Sequence, residues 1–250
     1  MPVGGGYHRI KKLPREELKL FVTENIKSLT EDEALAVIEN PYVTTGLLQS
    51  VAHSQRLTGY YSVRLRLVAH RQTPQAHSVK LIHYIYWFDL VRLSVDMTIP
   101  APVRRAIDTQ LLLRADKLTL GERIATARRC SSELIKIFLK DTDTRVFSVA
   151  LLNQRVREDD VLAAIAAPSV TAEQLRLIAD NPKWSYRYAV RKALVLHPLT
   201  PRSASATQLR YLTRRDRRLI HQNPATSTYL RRCIERLDAK DFSAHAERIE

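Results

Sequence analysis

The amino-acid sequence predicts an all-α chain of short stacked helices, internally duplicated. Three observations lead there. The chain aligns on itself without a gap, prolines punctuate it at short intervals, and its apolar residues recur at helical spacing. Glu33 to Asp108 lies over Asp160 to Glu235 at an offset of 127 residues. Leu35-Ala36 then meets Leu162-Ala163, and Pro41, Val43 and Thr44 meet Pro168, Val170 and Thr171. Tyr61, Val63 and Arg64 meet Tyr188, Val190 and Arg191; His70 meets His197; Thr73-Pro74 meets Thr200-Pro201; Asp89 meets Asp216. A repeat of this kind is the sequence signature of an array built by stacking one supersecondary unit.

The punctuation defines the elements. Asn181-Pro182, His197-Pro198 and Asn223-Pro224 each close one apolar segment and open the next. Proline lacks the amide donor that a helix interior needs but is tolerated where a helix begins. A Thr or Ser beside it supplies a cap for the orphan amides. Between these marks Leu175, Ile178 and Ala179, then Val190, Leu194 and His197, then Leu134, Ile135, Phe138 and Leu139 fall on helical stripes. Strand-like alternation is short: Val63-Arg64-Leu65-Arg66-Leu67 alternates, but its counterpart from Val190 does not. Short helices with one apolar stripe cannot bury it alone, whereas stacking creates a continuous core, so an α-solenoid is expected.

The segment Tyr188-Ala-Val190-Arg191 through His197-Pro198-Leu-Thr200-Pro201 resembles the leucine-rich-repeat variant, in which a Val-Arg helix ends in Asn-Pro-x-Thr-Pro. Gln174 to Pro182 is similar to the neighbouring segment of that pattern. The resemblance implies short helices stacked in a right-handed superhelix, akin to HEAT and armadillo repeats, and a binding scaffold with no defined reaction. The chain departs from the pattern in irregular spacing, in the poor match of Leu111 to Arg155, and in lacking the cysteine cluster of iron–sulfur-bearing relatives.

In chain order, residues 1–12 read as a flexible glycine-containing N-terminus and 13–112 as the first solenoid unit. Residues 113–156 read as connecting helices, 157–238 as the second unit and 239–250 as a polar tail. Composition narrows the function. Three of the six glycines are Gly4, Gly5 and Gly6, so no glycine cluster opens a helix as a P-loop or dinucleotide fingerprint requires. The longest apolar run, Leu81 to Val91, is broken by His83 and Asp89 and is too short to cross a bilayer. The N-terminal residues carry charges without the apolar block of a secretion signal. Cys130 and Cys233 are too few for a disulfide framework or a thiolate metal site, and read as reduced, buried thiols of a cytoplasmic protein. No metal or cofactor is expected.

Charge carries the functional expectation. The chain holds 40 Lys+Arg against 26 Asp+Glu, a formal net charge of +14. Arg187 to Arg236 contains twelve basic residues and two acidic ones, while the first sixty residues are balanced at seven each. The candidate anion-binding residues are Arg187, Arg191, Lys192, Arg210, Arg214, Arg215, Arg217 and Arg218. Arg210, Arg214, Arg217 and Arg218 are expected to share one helix face, since steps of three and four residues bring side chains together. Nucleic acid or an acidic protein is the expected partner. Solvated charge on the surface of a basic protein is the alternative.

A second expectation places a protein partner on Tyr84, Tyr86 and Trp87. A third compares Trp87 and Asp89 with HEAT-like DNA glycosylases, which hold an extruded nucleotide with aromatic rings and one acid. Asp89 recurs as Asp216, which favours a shared structural role such as capping the helix that follows. His70 and His197 are expected to satisfy helix-terminal carbonyls. Arg64 and Arg191 are expected to serve as repeat-to-repeat contacts, through a carboxylate on the next turn, and Trp184 to pack on Pro182 and seal a turn.

Overall fold

The computed structural model describes residues 5–246, with side chains from Tyr7 to Ala239. Its described residues form helices and turns, without a strand. None of these helices is long and apolar enough to cross a membrane. The chain divides into two compact units, Met1–Leu118 with Arg129–Ser131, and Thr119–Arg128 with Ser132–Glu250. The first contains α1 (Gly5–Ile10), α2 (Arg15–Asn25), α3 (Glu31–Ile38), α4 (Thr45–His53), α5 (Gln55–Gly59), α6 (Tyr61–Ala69), α7 (Gln75–Ile82), α8 (Trp87–Ser94) and α9 (Ala101–Arg114). The second contains α10 (Leu120–Ala127), α11 (Ser132–Phe138), α12 (Thr144–Leu151), α13 (Glu158–Ile165), α14 (Ala172–Asp180), α15 (Tyr188–Leu196), α16 (Arg202–Leu209), α17 (Arg214–Gln222) and α18 (Thr228–Ala246).

One turn closes many of these helices. The amide of the fourth residue returns to the carbonyl of the first: Val43 to Asn40 at 3.0 Å, Thr73 to His70 at 3.1 Å, Val156 to Asn153 at 3.2 Å, Thr200 to His197 at 3.1 Å and Thr226 to Asn223 at 3.0 Å. The first side chain supplies a second acceptor. Oδ1 of Asn40, Asp96, Asn153 and Asn223 each takes the amide two residues on, at 2.7–3.0 Å. At His70 and His197 the ring Nδ1 does the same, at 3.2 and 3.3 Å. The histidines therefore accept an amide instead of donating to carbonyls as expected, which requires a neutral ring. The fourth residue turns inward: Val43, Thr73, Ile99, Val156, Val170 and Thr200 are all buried. The next residue starts a helix, as Thr44 and Thr171 with capping side chains or as Pro74, Pro100 and Pro201, which have no amide to orphan.

The expected offset reappears in the element bounds. Helices α3, α4, α6 and α7 recur 127 residues later as α13 (Glu158–Ile165), α14 (Ala172–Asp180), α15 (Tyr188–Leu196) and α16 (Arg202–Leu209), end for end. Helices α8 and α9 share their starts with α17 and α18 at the same offset. Packing recurs too: α6 lies on α3 and α7, and α9 on α7 and α8, as α15 lies on α13 and α16, and α18 on α16 and α17. In the second unit α10, α12, α14, α16 and α18 also pack each on the next. Matching core positions are buried in both units, including Leu48 and Leu175, Val63 and Val190, Leu67 and Leu194, and Ile82 and Leu209.

Several expectations change. The N-terminal segment is anchored from Tyr7 onward. The Tyr7 hydroxyl and Lys11 Nζ reach Glu39 at 2.6 and 2.9 Å, Asn40 Nδ2 donates to the Ile10 carbonyl at 2.8 Å, and Ile10 is buried. Residues 1–4, also assigned to that flexible segment, lie outside the described residues, as do 247–250 of the tail; α18 carries the helix through Ala246. The stretch 113–156 is no separate connector, because α10, α11 and α12 belong to the second unit. Cys130 is buried, but Cys233 is half-buried against the cluster of Val195, Leu209, Leu212, Ile220 and Ile234. Trp184 is a core residue at the position of Leu57, its indole N–H donating to the Leu151 carbonyl at 3.1 Å, while Pro182 is exposed.

Candidate anion-binding surface

The surface is built where α15 meets the start of α17. Tyr188 is the first residue of α15, and its hydroxyl donates to the Asp216 carboxylate. The same hydroxyl accepts the backbone amide of Thr213 at 3.2 Å. Thr213 is the N-cap of α17 and its side chain takes the amide of Asp216. Lys192, one turn along α15, adds an ammonium 2.9 Å from Asp216 Oδ1. The tyrosine hydroxyl and the lysine together hold the Asp216 carboxyl below the usual carboxylate range. The first unit repeats the device: the Tyr61 hydroxyl donates to Asp89 and accepts the Tyr86 amide at 3.3 Å. Burial, reinforced by the Asp89 hydrogen bond, pushes the Tyr61 phenol up to about 12. The aspartate is thus a clamp that fastens one helix start to the helix two before it, α17 to α15 and α8 to α6, a more specific role than the expected cap.

The eight candidate cations differ in their surroundings and in their exposure. Arg187 lies 3.7 Å from Glu158, Lys192 is taken by Asp216, and the Arg191 guanidinium sits 4.0 Å from the Tyr211 ring centroid while its Nε donates to the Ser185 carbonyl. Arg191 and its counterpart Arg64, which lies 5.8 Å from the Tyr61 and Tyr84 rings, therefore meet aromatic faces instead of the expected carboxylates. Arg217 is 4% exposed and its Nη2 is 3.0 Å from Asp238 Oδ1. Arg210, Arg214, Arg215 and Arg218 point to solvent.

The expected common helix face is corrected here. Arg210 is the C-cap of α16, Arg214 opens α17, and Arg217 turns into the core. Ile220 is buried beside it, so the inward stripe of α17 runs through Arg217 and Ile220 and leaves Arg214, Arg215 and Arg218 outside. Arg214 and Arg215 occupy the first turn of α17, where the helix dipole disfavours cations.

At the matching places of the first unit stand Trp87, Phe88, Leu90 and Val91, in line with Arg214, Arg215, Arg217 and Arg218. Leu90 is fully buried, as is Leu111, the counterpart of Asp238. Tyr84 and Tyr86 are 64% and 69% exposed, Phe88 is exposed and Trp87 half-buried. The aromatic strip is thus largely a surface. Asp89 is engaged by Tyr61 and, at 3.3 Å, by Arg92.

Sequence reasoning missed the Tyr–Asp clamp and the inward turn of Arg217. Both had a signal: Tyr61 and Asp89 recur together as Tyr188 and Asp216 at the 127-residue offset, and Arg217 falls on an apolar position, Leu90, of the first unit. Comparison with family models, curated proteins and solved structures finds no match to this chain.

Proposed function

We propose that this chain is a non-enzymatic helical scaffold of the cytoplasm that binds an anionic macromolecule through its second unit. In this reading the two units descend from one duplicated array, each a segment of right-handed superhelix of the HEAT, armadillo or leucine-rich-repeat-variant kind. The recurrence of helix bounds, turns and clamps at one offset supports the duplication. The observation that carries the binding role is that Arg214, Arg215 and Arg218 project to solvent where the first copy has Trp87, Phe88 and Val91. The helix needs no arginine at these places, and two of them oppose its dipole. Guanidinium groups suit phosphate and carboxylate because they offer paired donors in a plane. Arg210 belongs to the same exposed group. Arg187, Arg191, Lys192 and Arg217 support the surface through their internal contacts. The recurrence of the Asp89 clamp as Asp216 supports a structural role for that acid over the glycosylase comparison.

The test is a salt titration of binding to an oligonucleotide and to heparin, starting at about 50 mM, where several anion contacts act together. The triple variant Arg214→Ala, Arg215→Ala, Arg218→Ala is expected to lower the dependence of log affinity on log salt by about two to three, at roughly 0.7–0.9 per contact removed. Equal slopes for variant and parent, or no binding at low salt, refute the reading. The adaptor reading keeps one observation in its favour, the exposure of Tyr84, Tyr86 and Phe88, since neighbouring aromatic rings left in water mark interaction surfaces. It predicts a protein ligand whose binding is lost with Tyr84→Ala and Tyr86→Ala and is insensitive to the triple arginine change.

A further inference from the structure

We infer that the anionic macromolecule is a single-stranded nucleic acid, held by base stacking on Tyr211 beside the arginines of α17. This inference rests on the anion-binding reading above and adds the class of partner. Tyr211 is 55% exposed, three residues before Arg214 and four before Arg215. That separation spans at most about 14 Å even in a fully extended chain, so ring and guanidinium groups reach one nucleotide and its neighbours. The ring is preorganised. Arg191 backs it at 4.0 Å from the centroid, and Arg191 is itself fixed by its Nε donating to the Ser185 carbonyl. The Tyr211 backbone amide is tied to the Gln208 carbonyl at 3.1 Å. A ring already held in place loses little freedom when a base stacks on it.

The surroundings favour the same partner. Asp216, the one acidic side chain in the α17 sequence, is held by Tyr188 and Lys192, so its charge is locally offset. Tyr186 repeats the pairing, exposed, with the Arg187 guanidinium 5.2 Å from its centroid. A strand of unpaired bases offers both a flat π-face for each ring and a phosphate for each cation. A duplex keeps its base faces stacked internally and uses only the cations. An acidic protein supplies carboxylates but no succession of flat faces. The rings interleaved with the arginines therefore gain most from unpaired bases. Stacking of this type tolerates any base, so little sequence preference is expected.

Three ligands test this with the full chain: a fluorescein-labelled twenty-residue oligothymidylate, a duplex of equal length, and heparin. Tyr211→Ala leaves net charge unchanged, and Tyr211→Phe retains the stacking face. The single strand is expected to bind at least fivefold more tightly than the duplex. Tyr211→Ala should weaken the single strand at least fivefold while leaving heparin unchanged, and Tyr211→Phe should bind like the parent. Equal affinity for strand and duplex, or a Tyr211→Ala variant that binds the strand like the parent, overturns the inference and leaves polyanion binding standing. A Tyr211→Phe variant as weak as Tyr211→Ala overturns it as well. Failure to bind any of the three at about 50 mM salt overturns both this inference and the reading beneath it.

Discussion

Helices α8 and α17 begin 127 residues apart, follow the same kind of clamp and pack on equivalent helices, yet their surfaces are opposite in character. One shows Trp87 and Phe88 and buries Leu90 and Val91. The other shows Arg214, Arg215 and Arg218 and buries Arg217. What the two retain in common identifies the architecture: the aspartate at the third helical position, the tyrosine that reaches it, and an inward aliphatic residue, Leu93 or Ile220. What differs is then available for function. The comparison also shows that a core position can exchange chemistry when both partners change, because buried Leu90 and Leu111 are matched by Arg217 and Asp238.

The largest expected effect comes from breaking that exchange halfway. Asp238→Leu removes the carboxylate from a buried guanidinium and should cost about 2–3 kcal/mol, below the upper range for buried pairs because Asp238 is itself partly exposed. The double change Arg217→Leu, Asp238→Leu restores the first unit's chemistry and should fall within about 1 kcal/mol of the parent or exceed it. Urea unfolding measures both; a double variant no better than the single one breaks the equivalence of the two places.

The clamps sharpen the comparison at a smaller scale. Tyr61→Phe deletes a hydrogen bond to a carboxylate in a partly buried setting and should cost about 1–2 kcal/mol. Tyr188→Phe, at a more exposed site where Lys192 still holds Asp216, should cost less than about 1 kcal/mol. Thermal denaturation of the two variants side by side decides the order, and a larger loss at Tyr188 contradicts it.

The smallest effect concerns the histidine turns. Burial, with Arg71 adding to it at His70, holds both His70 and His197 below the ordinary imidazole value near 6.5. The folded chain therefore binds fewer protons than the unfolded chain below that pH. Stability from the neutral rings is complete above about pH 6.5 and is lost as pH falls through it toward the folded values. Asparagine performs the same turn at Asn40, Asn153 and Asn223 without titrating. His70→Asn with His197→Asn should keep neutral-pH stability and flatten the decline that sets in below about pH 6.5. A decline of unchanged slope assigns it to other groups.

Much of the fold is legible in the sequence because the turn chemistry is local. Asn-Pro, His-Pro and Thr-Pro each declare a helix end within a few residues, and the structure places α4, α7, α16 and α18 just after them. The site was less legible because its decisive contacts are not local. An arginine reads as outward-facing until its carboxylate is known, and Asp238 lies 21 residues from Arg217. Arg191 reads as a salt-bridge donor until Tyr211 is found on its face, twenty residues on. Periodicity assigned Arg210, Arg214, Arg217 and Arg218 to one continuous helix, but Leu212-Thr213 interrupts it: Leu212 turns into the core and Thr213 caps a new helix.

The most direct measurement is a graft of α8 chemistry onto α17: Arg214→Trp, Arg215→Phe, Arg217→Leu and Arg218→Val together with Asp238→Leu. Anisotropy titration with a labelled oligonucleotide at about 50 mM salt, beside a circular-dichroism melt, reads binding and fold in one preparation. The account predicts a helical, cooperatively melting protein whose affinity has fallen at least tenfold. A folded graft that binds as tightly as the parent contradicts it.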